Sequence, residues 1–463
     1  MLLYYLIFLD ILLGYITIVY GLHKFGILKK YNISLALGFI IMWRTKRGRK
    51  FLNKLSRYRR FWQLYGNLAI AICVITMVFM FIILFMGAVV AISIRTEPVP
   101  LQNMLVLPGI NPIIPLWYGI FALAVGIIVH EFSHGILARV AKIKVKSLGL
   151  LLCIVPIGAF VEPDEKEIEK INRRSRSRIF ATGPTSNIIF GLIFAGIFSW
   201  AFMASLTPAV DGVLVVNVTK DFPAEEAGIK PGMVITEIEG MDVNGTSLNT
   251  VEIEKQEDFS NFLRSRKAND VINITVYENH KKMQFNNITL ADKYNNTEQK
   301  KDRGAGFLGV STRGVEEFKE SLAHPVTSAG NDVAQRRFNL IQYFMLLPVD
   351  SKILPFHSPI TEVYEVTGPL SVLPTALFWV LANMFFYLFW LNILLGIFNM
   401  IPAIPLDGGY VFKDGMSALL ARLRPAMKKD KLMATVNLLS FSLSFLIFIL
   451  FMMIIMGPYL FAI

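Results

Sequence analysis

The sequence predicts an α-helical polytopic membrane protein of about six spans, into which an extracytoplasmic α+β domain is inserted. Of its 463 residues, 54% are hydrophobic and only 17% are charged, a balance typical of proteins with several membrane-spanning helices. The Lys and Arg residues behind the net charge of +12 cluster in short loops between apolar runs, as the positive-inside rule requires of cytoplasmic loops. The charge therefore indicates topology, and we expect no nucleic-acid partner.

The N-terminal part, residues 1–65, is predicted to hold one span and a basic cytoplasmic loop. Met1–Leu22 lacks the basic n-region and small-residue cleavage site of a signal peptide, so we expect a retained helix. Ile33–Trp43, inside the basic loop, is apolar but too short to cross a bilayer. It is expected to lie on the membrane surface or within the protein.

The first part of the membrane core, residues 66–206, is predicted to contain three spans. Asn67–Ile94 leads outward, Leu116–Val140 returns inward, and Ile179–Ser205 leads outward again. Residues 145–162 are too short to cross twice, and their Pro and Gly residues favour a re-entrant β-hairpin with its turn near Pro156 and Gly158. A loop that only packs against the preceding span is the alternative.

The span Leu116–Val140 carries the sequence His130-Glu131-Phe132-Ser133-His134. Residues i and i+4 share one face of a helix, so His130 and His134 can direct two imidazole nitrogens at one zinc ion. Glu131 lies one step round the helix and can accept a proton from an attacking water. Ionisable groups at membrane depth usually mark function, although a buried His pair could also hydrogen-bond to neighbouring helices.

An inserted water-soluble region is predicted between Thr207 and Tyr364, with a domain at 207–314 and a linker of open fold at 315–366. Gly212–Val218 and Val271–Tyr277 alternate as strands do, and Asp258–Arg266 is predicted as a short helix. The region follows an outward-going span, which places it outside the cytoplasm. Five glycosylation sequons in it give this topology modest support.

The last part of the membrane core, residues 367–463, is predicted to contain a broken span and a final outward span, Met433–Phe461. Pro402 and Pro405 end the helix of the uncharged run, and two Gly residues follow Asp407, so Asp407 is presented from unwound backbone. Asp407 lies six residues before Lys413, and His134 lies eight residues before Lys142, so both can lie at a similar depth. Asp407 is therefore predicted as the third zinc ligand, with pairing to a polar neighbour as the alternative.

The segment Ala227-Gly228-Ile229-Lys230-Pro231-Gly232, with the strand that follows it, resembles the PDZ domains of bacterial and archaeal proteases. A last strand at 307–310 would close such a domain. The resemblance implies a peptide or C-terminus as partner, bound by strand addition. An insert that only restricts access to the membrane site is the alternative.

Two motifs taken together, His130-Glu-Phe-Ser-His134 and Asn399-x-x-Pro-x-x-x-Leu-Asp407-Gly, resemble the site-2 protease family of intramembrane zinc metalloproteases. The segments 158–163 and 183–187 resemble it too. The resemblance implies that His130, His134 and Asp407 bind Zn²⁺ and that Glu131 is the catalytic base. It also implies a multi-pass protein of the cell membrane, with a transmembrane protein as substrate and an active site toward the cytoplasmic side of the lipid bilayer.

The remaining candidate residues follow from this resemblance and from the broken helix. Asn399 is predicted to donate a hydrogen bond to the oxyanion. Substrate contacts are predicted at Gly158, Phe160, Asn187 and Pro402. The rival functions are a catalytically inactive zinc-binding scaffold, a peptide sensor and a transporter, although no inverted repeat is evident.

Overall fold

The structure, a computed structural model, describes residues 2–31, 33–36, 38–45, 48–93, 100–153, 155–241, 247–278, 280–297, 299–325, 356–357 and 360–460. The helices are α1 (Leu2–Lys24), α2 (Ile27–Lys30), α3 (Arg49–Leu55), α4 (Arg59–Ser93), α5 (Leu101–Met104), α6 (Leu116–Val140), α7 (Glu165–Lys170), α8 (Arg173–Gly196), α9 (Pro223–Glu226), α10 (Gln256–Arg264), α11 (Tyr294–Thr297), α12 (Val315–Ala323), α13 (Thr375–Asn399), α14 (Asp407–Leu423) and α15 (Lys429–Leu460). The strands are β1 (Ile33–Ala36), β2 (Ile40–Thr45), β3 (Val145–Cys153), β4 (Val155–Pro163), β5 (Leu206–Pro208), β6 (Val213–Val218), β7 (Val234–Met241), β8 (Ser247–Glu252), β9 (Val271–Glu278), β10 (Lys281–Thr289), β11 (Ala291–Asp292), β12 (Gly306–Phe307), β13 (Val310–Gly314) and β14 (Tyr364–Val366).

The chain divides into two compact units. The first comprises Met1–Ile193 and Tyr387–Ile463, and the second comprises Phe194–Phe386. The chain passes from one unit to the other within α8 and within α13. After α8 it continues through a π-helical segment, Ile197–Phe202, and a 3₁₀ turn, Met203–Ser205.

Five helices in the described part of the chain are long and apolar enough to cross a membrane: α4, α6, α8 with its continuation to Ser205, α13 and α15. The chain is thus a polytopic membrane protein with an inserted β-rich domain. The sixth predicted span, Met1–Leu22, falls in α1, where the side chains of residues 1–9 lie outside the described part of the chain. The number of six spans stays a prediction.

The first unit contains a four-stranded antiparallel sheet with the strand order β1-β2-β3-β4. The predicted hairpin is present, because β3 pairs with β4 from Val145 opposite Pro163 to Cys153 opposite Val155. The chain therefore reverses at residue 154, which lies outside the described residues. Gly158 was expected near the turn, but it pairs with Leu151 inside β4.

Strands β1 and β2 occupy the apolar segment Ile33–Trp43, for which no strands were predicted. β2 pairs with β3, with Met42 opposite Leu151. The segment is too short to span a bilayer, and this distant pairing satisfies its backbone polar groups instead. The C-terminal half of α6 then packs on this layer through a buried apolar cluster of Leu52, Ile136, Leu137, Ala138, Val140, Ile143, Val145, Leu148, Val161 and Ile179.

The second unit is built on a sheet with the order β10-β9-β7-β6-β13, to which β8 adds by pairing with β7. The predicted strands 212–218 and 271–277 are present as β6 and β9, and the predicted helix is α10. Phe259 and Phe262, three residues apart on α10, bury one face of that helix in the core. The predicted closing strand at 307–310 is instead β12 followed by β13.

The segment 315–366, whose fold was left open, begins with helix α12 and ends with β14. Residues 326–355 lie outside the described part of the chain. β14 pairs with β5, with Leu206 opposite Val366 and Pro208 opposite Tyr364. The point where the chain enters the insertion is therefore next to the point where it leaves.

Candidate metal centre

Helix α6 supplies the first two candidate ligands. His130 and His134 lie one turn apart on the same face, and their Nε2 atoms are 3.0 Å from each other. Both side chains are nearly buried, with 12% and 14% of their area exposed. When both nitrogens are unprotonated, two imidazoles this close can bind one cation.

Asp407 supplies the third candidate ligand, from the first position of α14. Helix α13 ends at Asn399, and Pro402 and Pro405 prevent the chain from continuing as a helix. The chain then folds back so tightly that a Cβ at Gly408 would overlap the carbonyl of Met400. This return places Asp407 Oδ2 3.0 Å from His130 Nε2 and 3.3 Å from His134 Nε2.

The three candidate ligand atoms fit a zinc ion. A tetrahedral zinc with bonds of about 2.0–2.1 Å holds its ligand atoms about 3.3 Å apart, close to the separations of 3.0, 3.0 and 3.3 Å found here. Gly183 on α8 keeps the place beside them open. A Cβ at that position would overlap His134 Nε2 and lie 2.9 Å from His130 Nε2.

Helix α8 provides the partner of each imidazole's second nitrogen. His134 Nδ1 lies 2.7 Å from the carbonyl oxygen of Ile179, which can only accept a hydrogen bond. A neutral His134 therefore carries its proton on Nδ1, which leaves Nε2 free for a metal. His130 Nδ1 lies 3.2 Å from Asn187 Nδ2.

Hydroxyl groups hold α6 against its neighbours at the same level. Ser133 Oγ donates to Ser186 Oγ over 2.7 Å, and Ser186 Oγ is 2.6 Å from the hydroxyl of Tyr65 on α4. Small polar residues of this kind allow close helix contacts in membranes. Because Ser133 lies between the two histidines in the sequence, this network fixes the rotation of α6 about its own axis at the level of the metal centre.

Glu131 lies between the ligand group and the hairpin. Its carboxylate accepts a hydrogen bond of 3.0 Å from the backbone N–H of Val161 in β4. β4 is the last strand in the order of its sheet. The predicted catalytic base is thus attached to the edge of the hairpin sheet.

A cleft of about 880 Å³ adjoins this sheet and is lined by residues of β2, β3, β4, α7, α8, α14 and α15. Phe160 lines it, together with Phe180 and Tyr410, whose rings stack at 4.5 Å. Gly158, Asn187 and Pro402, the other predicted substrate contacts, are buried. The role of all four residues stays a prediction.

Asn399, the predicted oxyanion donor, is the last residue of α13. Its Nδ2 donates to the carbonyl of Leu395 over 2.8 Å, and its side chain is half-buried. Its catalytic role likewise stays a prediction.

Sequence reasoning missed an ion pair that holds α14 in place. Asp414 is 3% exposed and accepts hydrogen bonds from Nε of Arg176 on α8 at 2.9 and 3.0 Å. Asp414 follows Asp407 by two helical turns, so both carboxylates lie on one face. That spacing is the signal that could have revealed it.

Comparison with known proteins gives a family match over most of the chain. The model of peptidase family M50 matches residues 118–444, a range that includes every candidate ligand. An uncharacterised protein of Methanocaldococcus jannaschii is 26% identical over 401 residues, which are 86% of this chain and 83% of that protein.

Two similar bacterial proteins carry zinc metalloprotease names. Zinc metalloprotease RasP of Shouchella clausii is 25% identical over 253 residues, which are 55% of this chain and 53% of RasP. A candidate zinc metalloprotease of Mesorhizobium japonicum is 24% identical over 358 residues, which are 65% of this chain and 89% of that protein.

Proposed function

Since the chain belongs to peptidase family M50, the site-2 protease family, and is a zinc metalloendopeptidase of the membrane, we propose that it cleaves peptide bonds within or near the membrane-spanning segments of other proteins. Its substrates on this proposal are transmembrane proteins. One observation carries the proposal: the candidate ligands and Glu131 converge on α6, a helix apolar enough to cross the membrane.

The placement of the ligands supports hydrolysis at membrane depth. His130 and His134 lie in the second half of α6, within three turns of its cytoplasmic-side end in the predicted topology. Asp407 reaches them from the break between α13 and α14. The active site on this proposal lies inside the membrane toward the cytoplasm, and the inserted PDZ-like domain lies outside the cytoplasm, where it binds a peptide or C-terminus.

The chemistry assigns one role to each group. His130, His134 and Asp407 would hold a zinc ion, which would act as a Lewis acid and lower the pKa of a water molecule beside it. Glu131 accepts a proton from the attacking water and later delivers it to the leaving amine nitrogen. Asn399 donates a hydrogen bond to the oxygen of the tetrahedral intermediate.

The hairpin supplies the means to hold an unwound substrate. A peptide bond inside a helix is shielded by its own hydrogen bonds, so the substrate must become extended before hydrolysis. β4 ends its sheet in the described structure and lies against Glu131 through Val161. An extended substrate segment can add to such an edge by main-chain hydrogen bonds, with side chains entering the cleft that Phe160 lines.

The test is cleavage of a single-span substrate by the purified full-length protein in detergent, beside the variant Glu131→Gln. The variant keeps the size of the side chain but cannot accept the proton, so we expect turnover to fall by at least about 100-fold. Zinc content, measured on both proteins, should be unchanged.

The outcomes separate the rival functions. Cleavage by the parent alone, with zinc in both proteins, supports the proposal. Cleavage by neither protein despite bound zinc, across several single-span substrates, supports an inactive scaffold or a peptide sensor instead. Equal cleavage by parent and variant would remove Glu131 from the mechanism.

A further inference from the structure

We propose that Asn187 is a positioning residue, which accepts a hydrogen bond from Nδ1–H of His130 and so fixes the imidazole tautomer that presents Nε2 to zinc. The inference rests on the ligand set of the proposed function. It assigns Asn187 a task that requires no contact with the substrate.

The direction of His130 defines which nitrogen must be free. Its Nε2 lies 3.0 Å from Asp407 Oδ2 and 3.0 Å from His134 Nε2, so Nε2 is the atom that faces the metal position. A ligating nitrogen carries no proton. A neutral imidazole with free Nε2 carries its proton on Nδ1, and this N–H needs an acceptor.

Asn187 is the group that faces this proton. Its amide lies 3.2 Å from His130 Nδ1, and the residue is 0% exposed, so water does not compete for the contact. The other end of the same amide, Oδ1, is buried without a hydrogen-bond partner. The same amide group thus contains a buried oxygen that lacks a hydrogen-bond donor and lies next to an N–H that needs an acceptor.

Rotation of the Asn187 amide by 180° about its Cβ–Cγ bond gives Oδ1 a donor and gives His130 Nδ1–H an acceptor. With Nδ2 toward Nδ1–H, two donors oppose each other and a buried oxygen stays unpaired, which native structures rarely tolerate. With Oδ1 toward Nδ1–H, the oxygen gains a partner and the imidazole gains an acceptor. The metal-binding tautomer and the satisfied amide are thus the same state.

The second histidine supports this assignment. His134 Nδ1 faces the carbonyl of Ile179 at 2.7 Å, and a carbonyl can only accept. Ile179 and Asn187 both belong to α8, two turns apart. One helix thus supplies an acceptor to the outer nitrogen of each zinc-binding histidine.

The experiment measures the zinc dissociation constant of the full-length protein in detergent, by competition with a chelator and without substrate. Asn187→Leu removes the acceptor at similar volume, and we expect about 10–100-fold weaker zinc binding. Asn187→Asp keeps an acceptor but cannot donate, and we expect affinity equal to or tighter than that of the parent.

Asn392→Leu is the matched control. Asn392 is also 0% exposed, and its Oδ1 also lacks a partner, but its Nδ2 donates to Leu388 in its own helix α13 and not to a histidine. We expect this variant to bind zinc like the parent. If the loss of any buried amide weakened zinc binding, the zinc dissociation constant would rise in both Leu variants.

The Asn187→Asp variant tests whether residue 187 accepts or donates the hydrogen bond, even if Asn187→Leu does not fold. If Nδ2 donated to an unprotonated Nδ1, Asp could not replace it, so Asn187→Asp binding zinc ten or more times more weakly than the parent would overturn the proposal. Parental affinity in Asn187→Leu would overturn it too. A parent that binds no zinc would instead overturn the proposed function itself.

Discussion

Gly183 is the residue whose lack of a side chain matters most to the metal centre. The backbone of α8 passes so close to the two histidines that a Cβ would overlap one Nε2 and lie 2.9 Å from the other. Both histidines are held from behind, His134 by the carbonyl of Ile179, so neither can retreat without losing its partner.

Gly183→Ala should therefore abolish zinc binding while leaving the protein folded. The measurement is zinc content after purification, together with the thermal unfolding midpoint in detergent. Gly415→Ala is the control, because Gly415 lies in helix α14 with nothing within 4 Å of its added Cβ. That variant should keep its zinc and gain about 0.5–1 kcal/mol of helix stability. A full complement of zinc in Gly183→Ala would show that the helices can separate.

Asn399 gives a second prediction at this scale. Asn399→Ala should lower turnover by about 10²–10³-fold, the usual effect of removing one oxyanion donor, and should leave zinc bound. The measurement is cleavage rate beside zinc content. Loss of zinc from the variant would contradict the assignment, since the proposed ligands are His130, His134 and Asp407.

At the scale of elements, the site depends on how α14 is fixed to α8. The first residue of α14 is the candidate ligand Asp407, and two turns later Asp414 forms its ion pair with Arg176. Asp414 is almost fully buried, whereas a quarter of the Arg176 side chain is exposed. Removal of one partner leaves the other without compensation in a poorly hydrated place.

Asp414→Ala should destabilise the protein by about 2–3 kcal/mol and weaken zinc binding through the displaced α14. The measurement is the thermal unfolding midpoint in detergent with zinc titration. The double variant Arg176→Met/Asp414→Leu should recover most of the stability, because two apolar groups replace both charges. Asp430→Ala, at the exposed start of α15, serves as control and should change stability by less than about 1 kcal/mol. Equal stability of the parent and Asp414→Ala would show that the pair contributes nothing.

Prediction from sequence succeeded for elements whose cause is local and failed for those held by distant partners. The helix α6 and the spacing of its histidines follow from residues within one turn, and Pro402 and Pro405 mark the break before Asp407. Strands β1 and β2 could not be predicted in this way, because Met42 finds its partner Leu151 more than a hundred residues later. The acceptor carbonyl of Ile179 has no sequence signal, since every residue carries one.

At the scale of the whole molecule, the inserted domain is attached through a paired stem. β5 and β14 are antiparallel neighbours, and Ala209 N–H donates to the carbonyl of Val363 beyond their ends. The β-sheet core of the insertion has its own buried cluster. The β-sheet part, residues 213–314, thus meets the usual conditions under which a domain can be removed or exchanged. Helix α12 does not, because the carbonyl of Leu322 accepts a buried hydrogen bond from Ser199 Oγ in the segment that continues α8.

Replacement of residues 213–314 by a short Gly-containing turn should preserve zinc binding and cleavage of a generic single-span substrate. The physical reason is that the two ends are already adjacent, since Val213 lies opposite Gly314 and Val315 N–H donates to the carbonyl of Gly212. Zinc content and cleavage rate check the expectation, with Glu131→Gln in the shortened protein as the control for activity. Complete loss of cleavage with zinc retained would favour a peptide sensor over a self-sufficient protease.

The long insertion also orders the events of biosynthesis. His130 and His134 leave the ribosome early, whereas Asp407 follows only after the inserted domain has been made. At about 5–20 residues per second, the interval is on the order of tens of seconds. During this interval, a nascent chain holds only two of its three candidate ligands. The order of the sequence thus delays the assembly of the metal centre until the inserted domain has been synthesised.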